Sequence, residues 1–127
     1  MSNRVYDTRF FAELFFTKDP NIHKWVENEK KKRYKHTSAV VMHELYRLTL
    51  SREGRETAKL RMALVKQSFN IISVDEQIAQ LSAELRQKYQ LSMGDSMIAA
   101  TAATLNAVCI SDDPHFKQIK EIHTTWV

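Results

Sequence analysis

At 127 residues the chain has the length of a single domain spanning 1–127, and folding would bury roughly two-thirds of the surface that the unfolded chain exposes. Hydrophobic residues make up 43% and charged residues 27%, with two Gly and two Pro, which argues against disorder and against a turn-rich all-β architecture. Nineteen Lys and Arg against fifteen Asp and Glu leave a formal charge of +4, compatible with a polyanionic partner, and the lone Cys109 excludes an internal disulfide framework.

In chain order, Val5-Tyr6 ends a short first strand, and Asp7-Thr8 opens a helix with Phe10, Phe11, Leu14 and Phe15 on one face. Asp19-Pro20 starts a second helix, with Ile22, Trp25 and Val26 on its apolar side before the basic run Lys30-Lys31-Lys32-Arg33. A brief strand at Lys35-His36-Thr37 leads to Ser38, which can cap a helix through Val41, Leu45 and Leu48. Gly54 separates that helix from the next, whose apolar positions read as Leu60, Ala63, Leu64 and Phe69, so the two form a helical hairpin. Ile71-Ile72-Ser73-Val74 reads as a buried strand, and Asp75 caps a helix through Ile78, Leu81 and Leu85.

Gly94-Asp95 opens a further helix carrying Ile98, Ala99, Ala102 and Leu105, and Ala107 to Ile110 follow as an apolar strand. Asp113-Pro114 begins a short helical turn containing Phe116, and residues 122–126 read as a last strand. Strands alternate with helices, which predicts a three-layer α/β/α fold with a central, mostly parallel sheet and the hairpin protruding from it. No apolar run has the length of a signal-peptide core or a membrane span, so the expectation is a cytoplasmic protein with no membrane partner.

Four acidic residues, Asp7, Glu44, Asp95 and Asp113, fall where these elements begin, end or turn inward. Asp7 and Asp113 follow strands, and in a parallel sheet the crevice beyond the carboxyl ends of strands is where ligands bind. Glu44 lies beside Val41 and Leu45 on the apolar flank of its helix, and Asp95 shares a face with Ile98, Ala99 and Ala102. Carboxylates converging in this way are what a hard cation such as Mg²⁺ or Mn²⁺ requires. Asp7, Asp95 and Asp113 also have an alternative as helix caps, and Glu44 as half of an exposed pair with Arg47.

Four segments bear a family resemblance: Val5-Tyr6-Asp7-Thr8; Thr37 to Leu45, with Glu44 near its end; Gly94-Asp95-Ser96-Met97-Ile98-Ala99-Ala100-Thr101-Ala102; and Ser111-Asp112-Asp113-Pro114-His115-Phe116. In order and approximate spacing they resemble the PIN-domain family, the nuclease fold of many stand-alone VapC-type toxins. The resemblance implies that Asp7, Glu44, Asp95 and Asp113 bind Mg²⁺ or Mn²⁺ and serve catalysis, with Asp112 an alternative to Asp113. It also implies an endoribonuclease, toxin of a type II toxin–antitoxin pair, that forms a homodimer and is inhibited by a small antitoxin protein. Arg9 departs from the small polar residue often found after Asp-Thr, and Ser111 stands where Thr is usual.

Phosphodiester hydrolysis needs an activated water, neutralised phosphoryl oxygens and a stabilised leaving oxygen, and divalent ions supply all three. Thr8, Ser111 and Asp112 are candidates for orienting the carboxylates or water. For the RNA itself, Lys30, Lys31, Lys32, Arg33 and Lys35 form a candidate phosphate track, and Arg9, His115 and Lys117 lie nearer the acids. Tyr6, Phe10 and Tyr46 have the aromatic rings for base stacking, but their spacing assigns them to the core. A zinc His-Glu-x-x-His pair is excluded because Arg47 stands where its second His belongs, and no glycine-rich phosphate loop exists. A PIN-fold RNA-processing nuclease and a non-catalytic RNA- or protein-binding module are the competing readings.

Overall fold

A computed structural model describes residues 2–127. Five strands form one sheet: β1 (Arg4–Tyr6), β2 (Lys35–Ser38), β3 (Asn70–Ile72), β4 (Val108–Ile110) and β5 (His123–Thr125). Their order is β3-β2-β1-β4-β5 and every pairing is parallel, so the sheet is wholly rather than mostly parallel. The helices are α1 (Thr8–Phe16), α2 (Pro20–Lys30), α3 (Ala39–Glu53), α4 (Arg55–Ser68), α5 (Glu76–Tyr89), α6 (Met93–Thr104) and α7 (Pro114–Lys117).

The chain leaves β1 towards β2 and β3 and then crosses to β4 on the other side of β1. Right-handed crossovers therefore put the α1–α2 connection and the α5–α6 connection on opposite faces of the sheet. β1 is central: Val5 and Tyr6 are inaccessible to solvent, Phe10 and Phe69 pack against the Tyr6 ring, and Phe11 packs against both phenylalanines. Tyr6 and Phe10 are thus core residues. On the other face, α6 buries Ile98 together with the small residues Ala99, Ala100 and Ala102, which let the helix lie close to β1, β2 and β4. Trp25 of α2 also packs against Phe10 and, at 4.6 Å between ring centroids, against Trp126 beyond β5.

Local chemistry explains most boundaries. Asp7, Asp19, Ser38, Asp75, Ser92 and Asp113 each accept a backbone N–H as an N-cap. The cap of α6 is Ser92 rather than Gly94 or Asp95, so Asp95 is already inside the first helical turn.

Two expectations change. In α4, Leu60 and Leu64 are 59% and 44% exposed, and the inward face is instead Ala58 and Val65. Arg61 occupies that side as well, its guanidinium 5.0 Å from the Phe15 ring centroid, 4.7 Å from that of Phe16 and 2.9 Å from Glu53. A charged residue on the core side breaks the apolar periodicity that would have marked the true face. β3 is an edge strand with Ile71 and Ile72 half-buried, since only β2 pairs with it. Among the described residues no helix is long and apolar enough to cross a membrane.

Candidate active site

The strand order reverses at β1, where Tyr6 is paired with Ile110 of β4. The residues that follow these strands, Asp7 and Ser111 to Asp113, therefore enter one crevice at the topological switch point. Asp7 is 3% exposed. Its Oδ1 accepts the Phe10 N–H at 3.2 Å and its Oδ2 the Ser111 hydroxyl at 2.5 Å. The same Ser111 oxygen accepts the Asp113 N–H at 3.0 Å, so one hydroxyl ties the two acidic positions together. Burial raises the Asp7 pKa to about 7, against the lowering effect of its hydrogen bonds and with further upward pushes from Asp112 and Asp113.

Glu44 enters from α3. Its Oε1 accepts the Thr8 hydroxyl at 2.6 Å, so Glu44 is tied to the residue that follows Asp7 and the alternative of an exposed pair with Arg47 does not form. Its Oε2 lies over the first turn of α6, where a Cβ added to Gly94 would sit 3.3 Å away. Glycine here is what lets the carboxylate approach a helix N-terminus, whose partial positive charge favours an anion.

Asp95 stands one residue further along α6, half-buried, its N–H donated to Ser92 Oγ at 3.1 Å. Its pKa is raised by burial first, then by repulsion from Asp113 and Glu44. Asp113 caps α7 by accepting the His115 N–H at 2.9 Å. The His115 ring turns back over the pair, with Nδ1 2.9 Å from Asp113 Oδ1 and 4.0 Å from Asp95 Oδ2. One ligand atom from each of Asp95, Asp113 and His115 falls within 4.8 Å of the others.

The four acids named from sequence thus meet at one rim, with Thr8 and Ser111 hydrogen-bonded to two of them. Asp113, not Asp112, faces Asp95. Asp112 is held by a two-pronged ion pair from Arg9, at 3.0 and 3.1 Å, and its pKa is lowered chiefly by that hydrogen bond. Lys117, in α7, adds a weaker pull on Asp112.

The basic run lies elsewhere. Lys30 to Arg33 are exposed but precede β2, and Arg4 at the start of β1 hydrogen-bonds the Tyr34 carbonyl at 3.0 Å, which puts them at the amino end of the sheet, opposite the acids. Lys35 is turned inward. Its ammonium donates to the Lys30 carbonyl and sits 4.8 Å from the Phe69 ring centroid, so it is a structural lysine and no part of a phosphate track.

From the sequence alone His115 has only an RNA-contact role and Gly94 only opens a helix. Signals exist for both: a glycine inside a first helical turn is disfavoured by about 1 kcal/mol relative to Ala, and Asp-Pro-His places an imidazole two residues after a capping acid.

As a donor set, the acids fit a divalent cation. Apart from the Asp112–Arg9 pair and the His115 ring, no cationic side chain within ion-pair distance meets them among the described residues. Carboxylate oxygens are what Mg²⁺ and Mn²⁺ take.

Comparison with solved structures gives the same architecture. The chain superposes on one from the VapBC2 complex of Rickettsia felis bound to a fragment of promoter DNA, with a TM-score of 0.81, 17% identity and 98% of both chains covered. A chain of a toxin–antitoxin complex from Klebsiella pneumoniae aligns with a TM-score of 0.75 and 26% identity over 94% of this chain and 95% of that one. The sarcin–ricin-loop-cleaving toxin VapC20 of Mycobacterium tuberculosis aligns with a TM-score of 0.76 and 19% identity over 95% and 99%. No curated protein matches the sequence. The family model for the PIN domain matches residues 4–122, which takes in β1, the switch-point crevice and all four acids, and by that match the chain belongs to the PIN domain family.

Proposed function

We propose that this protein is a metal-dependent endoribonuclease and the toxin of a type II toxin–antitoxin pair. The observation that carries the proposal is the approach of Asp7, Glu44, Asp95 and Asp113 to one rim where, among the described residues, no lysine or arginine forms an ion pair with any of the four, Arg9 being paired with the neighbouring Asp112. The likeness to chains of toxin–antitoxin complexes supports the biological role. A small antitoxin protein is the proposed inhibiting partner, supported by that likeness, and the proposed active form is a homodimer acting on RNA in the cytoplasm.

Asp95 and Asp113 would hold the ion directly, with Glu44 and Asp7 completing its charge balance from either side. When bound, a divalent cation supplies an activated water and neutralises charge on the phosphoryl and leaving oxygens. Ser111 fixes one Asp7 oxygen, Phe10 N–H the other, and Thr8 holds Glu44, so the carboxylates need little reorganisation on loading. Asp7, with its pKa near 7, stays partly protonated at neutrality until a positive charge arrives. Its loading should therefore release a proton. An all-carboxylate set suits Mg²⁺ or Mn²⁺, and recruitment of the His115 nitrogen tilts the preference towards Mn²⁺.

The purified protein should cleave single-stranded RNA in Mg²⁺ or Mn²⁺ and stop when the metal is chelated. Asp95→Asn should lower the cleavage rate by roughly 100-fold or more, since even the outer partners of metal sites are worth about 10- to 100-fold. Undiminished cleavage by Asp95→Asn, or in chelator, would refute the mechanism.

A further inference from the structure

One cleft of about 550 Å³ reaches the acid site at Glu44 and is otherwise lined by residues outside that site. Thr8, Glu44 and Gly94 form its inner end, the exposed side of α3 one wall, and Met93 at the start of α6 the other. His43 and Arg47 are four residues apart on α3 and so stand on one face of it, both exposed at the rim. Among the described residues neither has a carboxylate within ion-pair distance, because the acid beside them, Glu44, is taken up by Thr8. Leu48, half-buried, and Met93, 57% exposed, add apolar surface between rim and floor.

The cleft therefore carries a gradient. Its inner end holds the Glu44 carboxylate, its apolar surface comes from Leu48 and Met93, and its rim holds a guanidinium with no ion-pair partner among the described residues. Arg pairs with phosphate through its planar fork, and a base lies well against a thioether and a leucine side chain. A cavity of this size falls in the range of small-molecule sites. A single-stranded chain whose backbone passes Glu44 would meet these features next.

We propose that the cleft between α3 and the start of α6 is a nucleotide subsite for single-stranded RNA, in which Arg47 and His43 hold a phosphate adjacent to the one cleaved and Met93 and Leu48 flank its base. This rests on the ribonuclease reading, and deepens it by naming the residues that select the RNA. None of the four needs to touch the metal or the reacting atoms, so they position the substrate and do not take part in the chemistry. Gly94 contributes by leaving the inner passage open, since any side chain there would project onto Glu44.

The test uses the full-length protein and a fluorescein-labelled single-stranded RNA oligonucleotide. Binding is read by anisotropy in chelator over a salt series, where nothing is cut, and cleavage separately in Mn²⁺. Arg47→Ala should weaken binding about 3- to 10-fold and reduce the slope of log affinity against log salt by about 0.7, the contribution of one phosphate contact on a single strand. Arg47→Lys, which keeps the charge, should keep the slope. In cleavage, Arg47→Ala should raise KM by a similar factor with kcat within about twofold, and Met93→Ala should shift the distribution of cut sites on a mixed-sequence RNA, as loss of about one stacked contact implies.

Unchanged slope and KM in the Arg47→Ala/His43→Ala double variant, with its melting temperature preserved, would overturn the subsite. If the wild type binds RNA with the expected Arg47 dependence but cuts none, the subsite stands and the nuclease reading falls. If it cuts RNA and the four side chains have no effect, the reverse holds.

Discussion

At the amino end of β1, Glu29 is 5% exposed and its carboxylate meets a full positive charge, the Arg4 guanidinium at 2.7 Å, with the Tyr6 hydroxyl donating to the same oxygen at 3.0 Å. At the carboxyl end Asp7 is 3% exposed, and among the described residues its carboxylate accepts from a hydroxyl and one backbone N–H and forms no ion pair. Both ends of a three-residue strand thus bury an acid, and only one supplies a countercharge. Where the countercharge is built in, the result is a structural pair. Where it is left out, three more acids crowd the same rim, and the arrangement is held together by hydroxyl oxygens. Burying like charges without partners disfavours their ionised form, and a site that accepts that cost is arranged for a cation from outside.

The sharpest way to break this contrast is to remove the uncompensated charge. Asp7→Asn should abolish most RNA cleavage, by roughly 100-fold or more, while making the metal-free protein more stable at pH 8. The sign follows from the raised pKa: folding favours protonated Asp7, so stability from this group is full below about pH 4 and is lost as pH rises to about 7. The loss amounts to at most about 4 kcal/mol, three pKa units at 1.36 each. A thermal melt of both proteins in chelator across that pH range should show the wild type declining and the variant flatter, and parallel curves would contradict the assignment.

At the other end the same operation should have the opposite outcome. Glu29→Ala leaves Arg4 and the Tyr6 hydroxyl without their acceptor, and should cost about 3 kcal/mol, the lower end for breaking a buried pair because Arg4 keeps some access to water. Denaturant unfolding would measure it, with kcat on RNA unchanged. A loss of catalysis beyond the loss of folded protein would mean that the two ends are coupled.

The smallest expected effect sharpens the comparison within the acid rim. Gly94→Ala adds a methyl 3.3 Å from Glu44 Oε2, so Glu44 must give by a few tenths of an ångström, while the helix gains up to about 1 kcal/mol of propensity. A protein equally or more stable but about tenfold less active, by melt and by initial rate, is the expected result.

The four acids were legible because each sits at a point that local chemistry marks: two follow strands, one faces inward mid-helix and one opens a helix. Apolar runs such as Val108 to Ile110 fixed the strands, since a sheet covered on both faces needs no alternation. What escaped were facts that depend on a second element. That Ser92 rather than Asp95 caps α6 frees Asp95 to face Asp113. Lys35 reads as one more positive charge until Phe69 and the Lys30 carbonyl are seen to enclose it. Arg61 masks the inward face of α4 because its aliphatic stem and planar head lie on aromatic rings.

The chain holds two tryptophans, and they touch each other. All its indole emission therefore originates at one seam, where Trp126 closes on the middle of α2. An unfolding curve followed by that emission reports first on the detachment of the chain end from its helix, far from Glu44 and Asp95 in sequence and on different elements. Agreement with far-ultraviolet dichroism is needed before a single midpoint is taken to describe the whole molecule.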